Sequence, residues 1–181
     1  MNKSIILNST NIINTRDNLS KTISYYWKII ESTNLMSKKA VKEGYRKYDL
    51  KQLYNTITQM AMNRVKSKLL MNAINSGMKK FDFKNITKDH YYRIYMLNEL
   101  NEQKVHLTCL KIKHTINPAT KAQAGKAKLS KDEVFTNAKC AQLIADLDIK
   151  IQAIRAEIEE FNKNATIEID NADPFATQFT V

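Results

Sequence analysis

Apolar residues recur along this chain at spacings of three and four, the period of one helix face, and the stretches that carry them are long. Leu19, Ile23, Tyr26, Trp27 and Ile30 mark the inner face of a first helix, capped by Thr15 or Asp17 and running to about Thr33. A short basic helix is expected over 37–42, stopped by Gly44. Asp49, with Gln52 three positions on, starts a second long helix that Gly77 ends. Leu50, Leu53, Ile57, Ala61, Val65, Leu69 and Ala73 line one of its sides.

After a basic, aromatic connection at 78–86, Thr87 opens a third helix and Pro118 closes it. It is apolar on two sides: Ile94, Leu97, Val105 and Ile112 on one, Met96, Leu100, Leu107 and Leu110 on the other. Such a helix belongs in the middle of a bundle. Residues 118–129 read as a small, lysine-bearing loop, and Ser130 with Glu133 makes a capping box for a last helix reaching about Asn162. Along it Cys140, Ile144, Leu147, Ile151, Ile154, Ile158 and Phe161 form a heptad seam. The third helix is the natural antiparallel partner of that seam; a neighbouring subunit is the alternative.

The pattern breaks at both ends. Residues 1–14 are Asn-rich with Ile5, Ile6 and Leu7 interspersed, which predicts an extended arm. Residues 166–170, Thr-Ile-Glu-Ile-Asp, alternate as a strand does, and no second strand is evident to pair with them. The expected fold class is therefore all-α. Three to four long helices form a bundle with an antiparallel hairpin, 87–117 against 131–162. The helical domain spans 15–162, between an N-terminal arm at 1–14 and a C-terminal tail at 163–181.

Composition agrees with few, long elements: the 181 residues include three Gly and two Pro, too few for a turn-rich β fold. No apolar run approaches the roughly 20 residues a membrane helix needs, and the apolar run after Lys3 is too short for a signal peptide. An intracellular or virion location is expected, with Cys109 and Cys140 reduced and buried rather than joined across two helices. The heavy use of Asn, Lys and Ile suits an AT-rich bacterial, phage or viral genome.

Charge changes the picture more. The net +11 is split between a body at +17 over residues 1–131 and an acidic remainder at −6 over 132–181. The body would attract polyanions or an acidic protein face. Its lysine clusters are Lys38, Lys39, Lys42, Arg46 and Lys47; then Lys79, Lys80 and Lys84; then Lys121, Lys126, Lys128 and Lys131. Arg64, Lys66 and Lys68 add a further group, and Tyr45, Tyr48, Phe81, Phe83, Tyr91 and Tyr92 are interleaved. Lysine for phosphate with aromatics for bases is a nucleic-acid pattern, although aromatics at helical spacing more often fill a core. The excess of Lys over Arg predicts contact with backbone and little sequence preference.

Catalytic signatures are missing: Ala124-Gly125-Lys126-Ala127 lacks the upstream Gly and following Ser/Thr of a phosphate loop, and no GxSxG or HExxH occurs. Glu102, His106 and Cys109 share a face of the third helix, but zinc asks for four ligands and no CxxC or HxxxH supports them. No cofactor or metal is expected, and no enzyme.

The reading that follows is a non-enzymatic structural subunit or assembly factor of a large complex, with a phage or virus particle as the expected setting, as connector or internal virion component. In outline alone, with no motif matched residue by residue, a bundle ending in a reaching arm is similar to the helical adaptor subunits beneath tailed-phage portals. Ile5, Ile6 and Leu7, and in the tail Ile167, Ile169, Phe175, Phe179 and Val181, are the expected contacts with other protein subunits, most simply other copies of the chain. The alternative is a sequence-nonspecific nucleic-acid-binding protein of genome packaging or a ribonucleoprotein, meeting DNA or RNA at the backbone.

Overall fold

The computed structural model describes residues 5–115 and 131–166, and these are mostly helical. Helix α1 spans Ser9–Thr33, α2 Lys38–Lys42, α3 Leu50–Asn75, α4 His90–Thr115 and α5 Asn137–Asn164, with a 3₁₀ segment at Phe83–Lys88. Strands β1 (Leu35–Ser37) and β2 (Lys131–Glu133) form a small antiparallel ladder, Leu35 opposite Glu133 and Ser37 opposite Lys131.

Local signals explain most boundaries. Asp49 caps α3, its Oδ1 accepting from the amides of Lys51 at 2.9 Å and Gln52 at 3.2 Å. Gly77, at φ 73°, ends it in the left-handed region that glycine enters without strain. All seven apolar positions expected on α3 are buried.

Three starts differ from the sequence expectation. Helix α1 begins at Ser9, so residues 9–14 are helical rather than an extended arm. Asn8 accepts from the Asn11 amide at 2.8 Å, and buried Ile12 carries the apolar face one turn further. Helix α4 begins after Asp89, whose Oδ1 takes the Tyr92 amide at 3.1 Å, while Thr87 lies in the 3₁₀ segment. The proposed capping box is overturned: Glu133 belongs to β2, and α5 starts after Thr136, which accepts from the Lys139 amide at 3.1 Å.

The long helices run antiparallel to their neighbours. Trp27 meets Tyr54, and Arg64 comes within 3.4 Å of Ser20, which sets α1 against α3. Asn72 donates to the Tyr95 hydroxyl at 2.8 Å, and Arg64 binds Glu99, which sets α3 against α4. Lys104–Asp148 at 2.5 Å and Arg93–Glu157 at 2.6 Å set α4 against α5. The core runs through Ile23, Trp27, Ile30, Leu50, Ile57, Leu100, Leu107, Leu110, Leu147 and Ile151. The two apolar sides of α4 are spent unequally on it: Leu100, Leu107 and Leu110 are buried, whereas on the other side Leu97 packs against the core but Val105 is 60 % and Ile112 45 % exposed.

A charged cluster crosses the α3–α4 contact. The buried Glu99 carboxylate accepts two bonds from Arg64 Nε at 2.9 and 3.0 Å, and one from Lys68 Nζ at 3.1 Å. Arg64 also pairs with Glu102. Burial works against the guanidinium charge, but Glu99 and then Glu102 outweigh it and raise its pKa, so Arg64 stays protonated.

Candidate polyanion-binding surface

The antiparallel arrangement brings the C-terminal half of α1, the N-terminus of α3, the C-terminal half of α4 and the N-terminus of α5 to one end of the molecule. The β ladder and α2 lie there too.

Arg46 organises this end. Its Nε donates to the Thr33 carbonyl at 3.0 Å and its Nη2 to the carbonyls of Asn34 and Asp132, each at 3.0 Å, while Nη1 pairs with the Asp132 carboxylate. With its side chain 9 % exposed, Arg46 is a structural clamp and not the polyanion contact its place in a lysine cluster suggested. Beside it, buried Asn34 closes a two-bond clasp on Phe135: the Phe135 amide donates to Oδ1 at 2.7 Å, and Nδ2 donates to its carbonyl at 3.0 Å.

The clamp fixes its sequence neighbours on the outside. Tyr45, Lys47 and Tyr48 are exposed around it, as are Lys38, Lys39 and Lys42 of α2. Lys39 lies 3.8 Å from Glu43 in an exposed pair. On α1, Lys21, Ser24, Tyr25 and Lys28 form an exposed patch beside half-buried Ser20. The neighbouring Tyr48 phenol raises the pKa of Tyr25, first by interacting with its protonated form and then by repulsion between the two groups when ionised. The Tyr25 hydroxyl is therefore neutral at ordinary pH.

Several acids at this end face inward or serve as caps. Glu31 lies 3.2 Å from His106 Nδ1, Asp49 caps α3 and Asp132 is held by Arg46.

The second lysine cluster sits at the opposite end. Lys79, Lys80 and Lys84 are exposed, Asp82 caps the 3₁₀ segment through the Lys84 amide, and Lys66 Nζ stands 6.0 Å from the Phe83 ring centre. Phe81 and Phe83 meet edge to face at 5.0 Å. Tyr92, expected among the nucleic-acid aromatics, instead turns its hydroxyl to Met62 Sδ at 3.7 Å, and partial burial raises its pKa.

Among the partner contacts expected from the sequence, Ile5 is 82 % and Ile6 96 % exposed, and Leu7 is exposed too. Ile167, Ile169, Phe175, Phe179 and Val181 lie outside the described residues, as do Lys121, Lys126 and Lys128. Lys131 is placed by its backbone in β2.

The residues weighed for metal chemistry are dispersed. Glu102 binds Arg64, and the His106 ring stacks on Trp27 at 4.5 Å and 7° beside Glu31. Cys109 is exposed, contrary to the expectation that both thiols are buried; Cys140 is buried. Among the described residues no three His, Cys, Asp or Glu side chains converge on a point that could hold a metal ion, and no helix is long and apolar enough to cross a membrane.

No protein family matches the chain, nor does any curated protein or solved structure.

Proposed function

We propose that this chain is a non-enzymatic structural subunit or assembly factor, a helical bundle whose terminal segments hold neighbouring subunits, most simply other copies of itself. One observation carries the reading: apolar side chains at the start of the chain stand in solvent, Ile5 at 82 % and Ile6 at 96 % exposure, while the polar residues best suited to chemistry, Glu99, Glu102 and His106, are committed to neighbours within the fold. The tail adds alternating apolar and acidic residues over 166–170, suited to adding a strand to a partner's edge or meeting a basic face. A virion, as connector or internal component, is the setting that suits a small, basic, non-catalytic subunit of this composition.

The test is association with and without the tail. Sizing by light scattering should give multimers of the 20.9 kDa chain, and deletion of residues 165–181 should return it to a monomer. A full chain that stays monomeric at high concentration, with no partner recovered through the tail, overturns the reading.

A second reading is favoured by the lysines gathered at each end of the molecule: contact with nucleic acid through phosphates. It predicts affinity that falls steeply with salt and survives deletion of the tail.

A further inference from the structure

Two charge-free surfaces stand open on this chain. The first is its beginning: residues 5–15 hold no charged side chain, in a sequence that is 26 % charged. Ile5, Ile6 and Leu7 are exposed there, just before α1. The second is the outer stripe of α4. Asn98, Asn101, Val105, Thr108 and Ile112 follow one another in steps of three and four, the spacing of one helix face, and none is charged. Val105 stands at its middle, 60 % exposed.

Two polar side chains of the stripe already have partners. Asn101 Nδ2 donates to the Leu97 carbonyl at 2.9 Å, and the Thr108 hydroxyl donates to the Lys104 carbonyl at 2.8 Å. Of the adjoining charges, Glu102 is held by Arg64 and Lys104 by Asp148. On the arm, Asn8 is occupied as the cap of α1. Covering apolar surface whose polar neighbours are satisfied is favourable, and a charge-free segment suits a charge-free face.

The two surfaces do not reach each other within one chain. Trp27 stacks on His106, and Arg64 links Ser20 to Glu99, so α1 and α4 run in the same direction with their starts level. Val105 lies roughly 22 Å along α4 from His90, at about 1.5 Å per residue. Ile6 extends at most about 11 Å beyond Ser9. The arm therefore falls short of its own Val105.

We propose that residues 5–8 of one copy dock on the α4 stripe around Val105 of a neighbouring copy. This rests on the reading that the terminal segments hold neighbouring copies, and it names the surface that receives the N-terminal one. The contact joins unlike surfaces, so each copy gives an arm and receives one. Such contacts repeat into a ring where the rotation closes, and into an open fibre where it does not.

The experiment is sedimentation velocity of the full chain at rising concentration, with Ile6→Asp and Val105→Asp run singly and mixed. The parent chain should form multimers. Each variant alone should lose them, its association weakened at least about tenfold by a charge placed in the contact. An equimolar mixture should give a two-chain complex and nothing larger, because Val105→Asp still supplies an arm and Ile6→Asp still supplies a stripe. A second readout uses the exposed thiol of Cys109, one turn from Val105. Under diamide, Ile5→Cys should give chains linked through Cys109, mapped by mass spectrometry, and Cys109→Ser should remove the link. Circular dichroism of each variant separates loss of the contact from loss of the fold. Multimers that survive both substitutions overturn the contact and leave the assembly reading to the tail. Loss with only one of the two, or a mixture that stays monomeric, also overturns it. A parent chain that is monomeric at every concentration removes this contact and the assembly reading together.

Discussion

Replacing Arg46 by Leu isolates the clamp on which the basic end depends. The guanidinium satisfies three backbone carbonyls, those of Thr33, Asn34 and Asp132, and pairs with the Asp132 carboxylate. Leucine fills much of the space and leaves those acceptors without their donor. Breaking a fully buried pair costs about 3–5 kcal/mol. The Asp132 side chain is 40 % exposed and can turn to water, so the expected loss is smaller, about 2–3 kcal/mol. For a chain of this size each kcal/mol moves the melting temperature by about 2–4 °C, giving a fall of about 4–12 °C. The assay is urea and thermal unfolding followed by far-ultraviolet dichroism. Arg46→Lys should recover only part of the loss, since one ammonium cannot reproduce the planar fork. An Arg46→Leu midpoint within about 0.5 kcal/mol of the parent would refute the clamp, because that is the range of an ordinary surface change.

Further outcomes follow from single side chains. Glu99→Gln removes the buried carboxylate that Arg64 and Lys68 share, leaving Arg64 only the more exposed Glu102, and should cost about 1–3 kcal/mol by urea denaturation. Ile57→Ala, at a fully buried position of α3, should cost about 2–5 kcal/mol, whereas Ile6→Ala should stay within about 0.5 kcal/mol in the isolated chain. A thiol reagent at neutral pH should label exposed Cys109 rapidly and Cys140 only on unfolding, as mass spectrometry of the two peptides can read. Burial, and next the charge of Glu133, raises the Cys140 pKa above the ordinary 9.0. The unfolded thiol therefore loses its proton first, and stability should decline as pH rises from about 9; Cys140→Ser should flatten that decline.

The helices were legible because burial follows a local period. Every apolar position expected on α3 is inside, and on α1 Ile23, Trp27 and Ile30 are buried with Leu19 and Tyr26 half-covered. What escaped depends on partners far along the chain. Nothing near Arg46 signals that Asp132, 86 positions away, will take it out of its lysine cluster. The ladder of β1 with β2, and the Asn34–Phe135 clasp, displace the apparent capping box at Ser130 and Glu133 for the same reason. The start of α1 was available in principle: Asn8 is a strong cap and Ile12 keeps the helical spacing. On α4 two apolar sides looked equivalent, and only packing decides that Leu107 is covered while Val105 is not.

Hydrogen–deuterium exchange of residues 1–8 and 165–181, measured by mass spectrometry on the dilute chain and again on its assembled form, tests most directly whether the termini hold neighbours. Rapid exchange in the dilute chain and slow exchange after assembly is the result expected. Equal protection of both segments in a chain shown to be monomeric would contradict it.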